Sequence, residues 1–280
     1  MKVKGIIQSA MSAIIVAMVM FGCSSEKQVK SKKDLSLPLN ITIYLDLSDR
    51  LVRDLTPSQR GRDLAIVEHF TKLFQDSCQS TGILKSKHRL KVLFYPAPEN
   101  TEINTLASAL VIDMKNLQAK DKRVELQKMP SVFKNSLAQI YDETLNAKKW
   151  LGSDIWGFFS NKKVDDLCIK KGYRNVLVIL TDGYLYYELN KQQSQDAYSY
   201  VTSKTLLKQN SSMIVKRKGL QGLEVLMLET NPYSPKEHDR LQSVLENWFE
   251  GMEIGRFVVS ETDLSNNTET VIDNFLNGDK

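Results

Sequence analysis

Asn175-Val176-Leu177-Val178-Ile179-Leu180 runs directly into Thr181-Asp182-Gly183. An aliphatic run without polar alternation describes a strand covered on both faces. Such a strand belongs in the middle of a parallel sheet with helices on either side. The Thr-Asp-Gly that follows is turn chemistry at its carboxyl end.

The rest of the chain agrees with that reading. Leu39 to Leu47 is β-rich, and Leu90 to Tyr95 is a second strand stopped by Pro96 and Pro98. Leu223 to Leu228 and Arg256 to Ser260 complete the expected strands, with a further strand or helix around Leu106 to Met114. Between them lie helical patterns. Pro57 opens a helix reaching Cys78, with Ile66, Val67, Phe70, Leu73 and Phe74 at helical spacing. Ser131 to Lys148, Asp154 to Cys168, a stretch marked by Leu241 to Phe249, and Thr268 to Leu276 read as four more. Trp156, Phe158 and Phe159 read as core. Alternating strands and helices imply an α/β, doubly wound, mainly parallel central sheet with helices on both faces. In such a sheet ligands bind beyond the carboxyl ends of the strands, near the switch point.

Composition is that of an ordinary globular domain, with 42% hydrophobic and 25% charged residues in a chain of 280. The net charge of +5 is mild, and Lys2, Lys4, Lys27, Lys30, Lys32 and Lys33 all fall in the first 33 positions. No basic surface with interleaved aromatics points to nucleic acid. The three cysteines, Cys23, Cys78 and Cys168, exclude a small disulfide scaffold and offer no zinc spacing.

The first residues have their own logic. Lys2 and Lys4 precede an uncharged, mostly apolar run from Ile6 to Phe21, and Gly22-Cys23-Ser24-Ser25 follows. A basic start, an apolar run of this length and a small residue before the cut describe a secretory signal. The Gly-Cys junction resembles a lipoprotein signal, which implies palmitate-type acylation at Cys23. Met20 and Phe21 depart from that pattern, where Leu and a small residue are preferred. The expected organisation is a signal peptide over 1–22, a polar, lysine-rich tether over 23–37, and one α/β domain over 38–280.

At the strand ends, oxygen-bearing side chains gather. Asp46-Leu47-Ser48-Asp49-Arg50 closes the first strand, Thr181-Asp182-Gly183 closes the strongest, and Gly152-Ser153-Asp154-Ile155 precedes a helix. Carboxylates and hydroxyls on one edge suit a hard cation. The order and spacing resemble the von Willebrand factor type A domain. That family places Asp-x-Ser-x-Ser after its first strand, a loop Thr before a central helix, and an Asp in a Thr-Asp-Gly turn. The resemblance covers roughly Leu39 to Leu276 and implies Asp46, Ser48, Ser153 and Asp182 as ligands of Mg²⁺ or Mn²⁺. It further implies a protein partner in the cell envelope whose Glu or Asp completes the coordination. One position departs. Arg50 stands where the family has its second Ser, and an arginine is no ligand. At about 4 Å and an effective dielectric near 20, two unit positive charges repel by roughly 4 kcal/mol. An ion pair from Arg50 to Asp46 and Asp182, leaving an inactive-site scaffold, is the competing expectation.

Asp46 and Asp182 read equally as turn caps, and Ser48 and Ser153 as N-caps. A phosphate-ester hydrolase using Asp46 is the enzymatic alternative, but Ser48 stands where its second Asp belongs. No phosphate-binding glycine loop or nucleophile elbow occurs. His69, His88 and His238 are scattered. The expected function is therefore non-enzymatic binding. Tyr184, Tyr186 and Tyr187 follow Asp182 as a candidate rim, and Asn231-Pro232-Tyr233 reads as a plain turn.

Overall fold

The computed structural model describes residues 36–150, 152–185, 187, 215 and 217–278. The leader, Cys23, the tether up to residue 35, and Tyr186 lie outside these residues.

Six strands form one sheet in the order β3-β2-β1-β4-β5-β6. They are β1 (Leu39–Leu45), β2 (Arg89–Leu93), β3 (Val111–Asp113), β4 (Arg174–Leu180), β5 (Leu223–Thr230) and β6 (Arg256–Glu261). All neighbours are parallel except the short edge strand β3, which runs antiparallel to β2. The helices are α1 (Gln59–Ser80), α2 (Thr101–Ser108), α3 (Lys122–Ala147), α4 (Ile155–Ser160), α5 (Lys163–Cys168), α6 (Pro235–Gly251) and α7 (Ser265–Asn277). This is a doubly wound α/β fold.

Every residue of β4 is buried, as its unbroken apolar run requires. Alternate side chains feed two cores. Ile41, Ile43, Val176, Val178 and Leu226 pack with α1, α3 and α7, whereas Tyr44, Leu177, Ile179, Val225 and Met227 pack with α4, α5 and α6. Phe158 and Phe159 are core, as expected. Cys78 belongs to one core and Cys168 to the other, so the sheet separates the two free thiols.

Three elements differ from the sequence reading. Asp154 to Cys168 is not one helix: Lys162, at φ 58, breaks it into α4 and α5. The helix assigned from Ser131 starts at Lys122 and passes through Pro130. Proline has no N–H, so the carbonyl four residues earlier loses its helical partner. Here that carbonyl, on Leu126, accepts from Gln75 Nε2 of α1 at 2.8 Å. A break in one helix thereby becomes a tie to its neighbour. The stretch after Pro98 holds both α2, capped by Asn100, and β3.

Gln75→Ala should cost about 1 kcal/mol in urea unfolding, because it strands a carbonyl. In a Pro130→Ala background the loss should shrink, since the restored N–H of residue 130 takes the same acceptor. An equal loss in both backgrounds would show that Gln75 acts otherwise.

Candidate functional site

From β1 the chain turns to β2, and from β4 it turns to β5 on the opposite side. A crevice therefore opens between the carboxyl ends of β1 and β4. The two strands end flush, Leu45 beside Leu180, and Asp46 N donates to Leu180 O at 3.0 Å. This register sets Asp46 beside Thr181 and Asp182. The turn after Asp182 needs Gly183, which sits at φ 92 with Leu241, Leu245 and Thr230 crowding the position of a Cβ.

Asp46 is held on all sides. Its Oδ1 accepts from Ser48 N at 2.9 Å, and its Oδ2 from Thr181 Oγ1 at 2.8 Å. Asp182 Oδ1 accepts from Tyr184 N at 3.1 Å. Ser48 caps the short 3-10 turn Asp49–Val52, its hydroxyl accepting from Arg50 N at 3.5 Å. Ser153 makes its hydrogen bond, at 2.9 Å, with the hydroxyl of Tyr44 on β1, which itself donates to Tyr95 O rather than to Asp46 or Asp182. Ser153 is not the cap of α4. Asp154 is, accepting from Gly157 N at 2.8 Å.

Arg50 was expected either to oppose a cation or to bridge Asp46 and Asp182. It bridges neither carboxylate closely. Its Nε donates to the backbone carbonyl of Asp46 at 2.8 Å and lies 3.9 Å from Asp46 Oδ2. The guanidinium turns inward to α1, where it meets Asp63 in a two-point contact of 2.6 and 3.4 Å. Tyr141 of α3 also donates to Asp63, at 2.6 Å, and so does Gln59, at 2.9 Å. Arg50 and Asp63 are wholly buried. Burial works against the charge on Arg50, but Asp63 and then Asp46 hold its proton more firmly than usual.

The surface arginine is Arg53. Its Nη1 donates to Asn231 O at 2.5 Å and stands 3.8 Å from Asp182 Oδ2. Its guanidinium lies 4.4 Å from the centre of the Tyr233 ring.

Three carboxylates, on Asp46, Asp63 and Asp182, thus face two guanidinium groups, on Arg50 and Arg53. One negative charge is unmatched. Burial raises the carboxyl of Asp46, against the pull of Arg50. Burial, and then the charge of Asp46, push Asp182 up to about 7. Two buried carboxylates this close accept a proton or another cation readily. Asp46, Ser48 and Asp182 carry hard oxygen donors of the kind Mg²⁺ or Mn²⁺ takes. Among the described residues no cluster of three or more His, Cys, Asp or Glu side chains gathers there to hold a metal ion, and Arg50, 3.9 Å from Asp46 Oδ2, lowers both carboxyls.

Sequence reasoning missed Asp63, Gln59, Tyr141 and Arg53. A signal for the first two existed. Gln59 and Asp63 continue the buried stripe of Ile66, Val67, Phe70 and Phe74 by one more turn. A carboxylate on the core face of a helix demands a buried partner. The tyrosine rim is only partly realised. Tyr184 packs on Tyr233 at 4.9 Å and donates to Glu237 at 2.7 Å, while Tyr187 bridges to Gly152. His69 contacts Asp273 and Glu269 on α7, away from these strand ends.

No family model and no curated protein matches the chain. Among solved structures, the conserved hypothetical protein BatB from Bacteroides thetaiotaomicron aligns with a TM-score of 0.42 at 10% identity, over 86% of this chain and 98% of that one. A superposition this loose bears on neither fold nor function, and the fold assignment rests on strand order alone.

Removing one partner of the Arg50–Asp63 pair should cost about 3–5 kcal/mol, because the other charge is left buried and alone. Arg50→Met together with Asp63→Leu should lose less than the sum of the single changes in a double-mutant cycle. Strict additivity would deny the pair.

Asp182 also sets a pH dependence. Its folded value lies above the carboxylate norm, so the folded state holds a proton that the unfolded chain has released. Its contribution to stability is present at low pH and is lost as pH rises from about 4 to about 7. Without divalent cations, thermal stability should fall more steeply over that range in wild type than in Asp182→Asn. Parallel profiles would contradict the assignment.

Proposed function

We propose that this chain is a lipid-anchored cell-envelope protein that binds a protein partner at the strand-end face. A divalent cation, Mg²⁺ or Mn²⁺, is held there by Asp46, Ser48 and Asp182; Ser153, the further ligand that the resemblance implies, hydrogen-bonds to Tyr44 instead. The observation that carries the reading is the unmatched negative charge shared by Asp46 and Asp182 at the switch point. A bound cation supplies positive charge and open coordination positions for a partner's oxygens. This follows the resemblance to the von Willebrand factor type A domain, in which a partner Glu or Asp completes the coordination.

The chain's own groups prepare the site. Thr181 and Ser48 fix the Asp46 carboxylate, Tyr184 N–H fixes that of Asp182, and the Arg50–Asp63 pair anchors the intervening loop to α1. We take the protein to be non-enzymatic. Asp46 is 2% exposed, and each of its carboxylate oxygens already accepts a hydrogen bond, a poor setting for a nucleophile. The inactive-site scaffold has Arg50 neutralise the aspartates; Arg50 makes its short contact with Asp63 and stands farther off, 3.9 Å from Asp46 Oδ2, which favours the binding reading. The anchor is read from the Gly22-Cys23 junction and its basic, apolar leader. No helix among the described residues is long and apolar enough to cross a membrane.

Calorimetric titration with Mn²⁺ should show one site in wild type and none in Asp182→Ala. Indistinguishable isotherms would remove the cation from the model. Radioactive palmitate should label the wild-type chain in cells, and Cys23→Ser should abolish the label; a labelled mutant would reject the anchor.

A further inference from the structure

Beside the Asp46–Asp182 crevice lies a second opening, at the carboxyl ends of β5 and β6. The ladder between these strands shifts register between Met227 and Thr230. Within the shift Glu229 takes φ 69, an unfavourable conformation for a residue with a side chain. Its buried carboxylate is clamped by Arg62 through contacts of 2.6 and 3.0 Å, and Gln59 adds a third at 3.3 Å. The strain is thus held in place by α1. Beyond the bulge the chain turns through Asn231-Pro232-Tyr233, and a cavity of about 380 Å³ opens under that turn. The turn that looked featureless in the sequence is the wall of a cleft.

The lining accepts hydrogen bonds far more than it donates them. Thr230 spends its hydroxyl proton on Ser260 O, and Thr262 spends its own on the Glu229 and Thr230 carbonyls. Their oxygens are left as acceptors. Glu261 adds a carboxylate in contact with His238 Nδ1. His238 stands between Glu261, at its Nδ1, and Asp239, 3.6 Å from its Nε2, and Glu237 lies on the first turn of α6. Against these stands Arg53, fixed on Asn231 O and the Tyr233 ring. Tyr233 itself is 55% exposed at the rim, with Arg53 over its ring and Tyr184 packed against it.

We propose that this cleft receives a lysine or arginine side chain of the partner protein. The proposal rests on the strand-end face being a protein-binding surface and adds a second contact to it. A cationic group with several N–H donors satisfies Glu261 and the two threonine oxygens together. A neutral aliphatic chain would leave them desolvated and unpaired, and an acidic one would be repelled by Glu261. The partner segment would then carry an acidic residue for the crevice and a basic one for the cleft, with Arg53 and Tyr233 as the divider between them.

The test is an NMR titration of the protein with N-acetyl-lysine amide and N-acetyl-arginine amide, following Thr262 N–H and the His238 ring. N-acetyl-norleucine amide and N-acetyl-glutamate amide serve as controls. Saturable millimolar shifts are expected with the two basic probes alone, weakened roughly tenfold in Glu261→Gln. Equal shifts with the norleucine probe, or full binding to Glu261→Gln, would overturn the proposal. Binding of the basic probes should survive in Asp182→Ala, so a failed cation site and a failed cleft give different results.

Discussion

The inward turn of Arg50 is the constraint on which the strand-end site depends. A guanidinium placed four residues after a strand-end aspartate would ordinarily reach out and neutralise it. Here the side chain passes under the loop, and its fork is taken by Asp63, with Tyr141 and Gln59 filling the remaining acceptor sites of that carboxylate. Three elements meet on this one pair: the loop after β1, the N-terminal part of α1, and the C-terminal half of α3. Taking both ions out of water is expensive, and only such complete hydrogen bonding offsets it. The result is a loop whose backbone is rigid and whose aspartate remains short of one counter-charge.

Rigidity at the site is matched by the sheet beneath it. The flush ends of β1 and β4 bring Asp46 and Thr181 within a hydrogen bond, with no long side chain needed to span the gap. Two dry cores fix that register, because a slip by one residue would turn Ile41, Ile43 and Leu45 toward α5 and put Asn40, Thr42 and Tyr44 under α1. The site's geometry is therefore set by packing some distance away. At the other end of the sheet, Arg174 and Arg256 bind Glu224 and the last carbonyls of α7, which closes the domain against fraying there. Structural ion pairs thus occur at both ends of the sheet, Arg174–Glu224 at one and Arg50–Asp63 beside the unbalanced group at the other.

Much of the fold was legible in the sequence. β4 announced itself through unbroken burial, and β1 through its own β-rich run, because strand periodicity depends on residues close in sequence. The placement of Asp46 and Asp182 followed from the same logic, since strand ends in a parallel sheet face one way. What was not legible depended on pairing across distance. The partner of Arg50 lies 13 residues on and belongs to a helix whose visible pattern was apolar. The continuation of α3 through Pro130 relied on Gln75, 51 residues from the carbonyl it rescues. Local rules treat that proline as a stop. Arg53 was invisible for a similar reason: its meaning comes from Asn231 and Tyr233, which are remote in sequence and were read as a turn alone.

The two arginines explain how one site can stay poised. Arg50 is dry, doubly bonded and fixed, so its charge is a permanent part of the frame. Arg53 is partly wet, holds Asp182 only at 3.8 Å, and is anchored by a carbonyl and a ring. A longer contact at a partly solvated edge is worth little, on the order of 0–1 kcal/mol. It satisfies Asp182 incompletely, which is why burial and Asp46 still lift that carboxyl to about 7. A tighter bond to Arg53 would have closed the crevice to any other cation, and no arginine at all would have left a buried charge unsupported. The weak pair leaves Asp182 short of a full counter-charge, and Arg53 and a proton both answer it. Arg53 thus touches both the crevice, at Asp182, and the wall of the neighbouring cleft, at Tyr233.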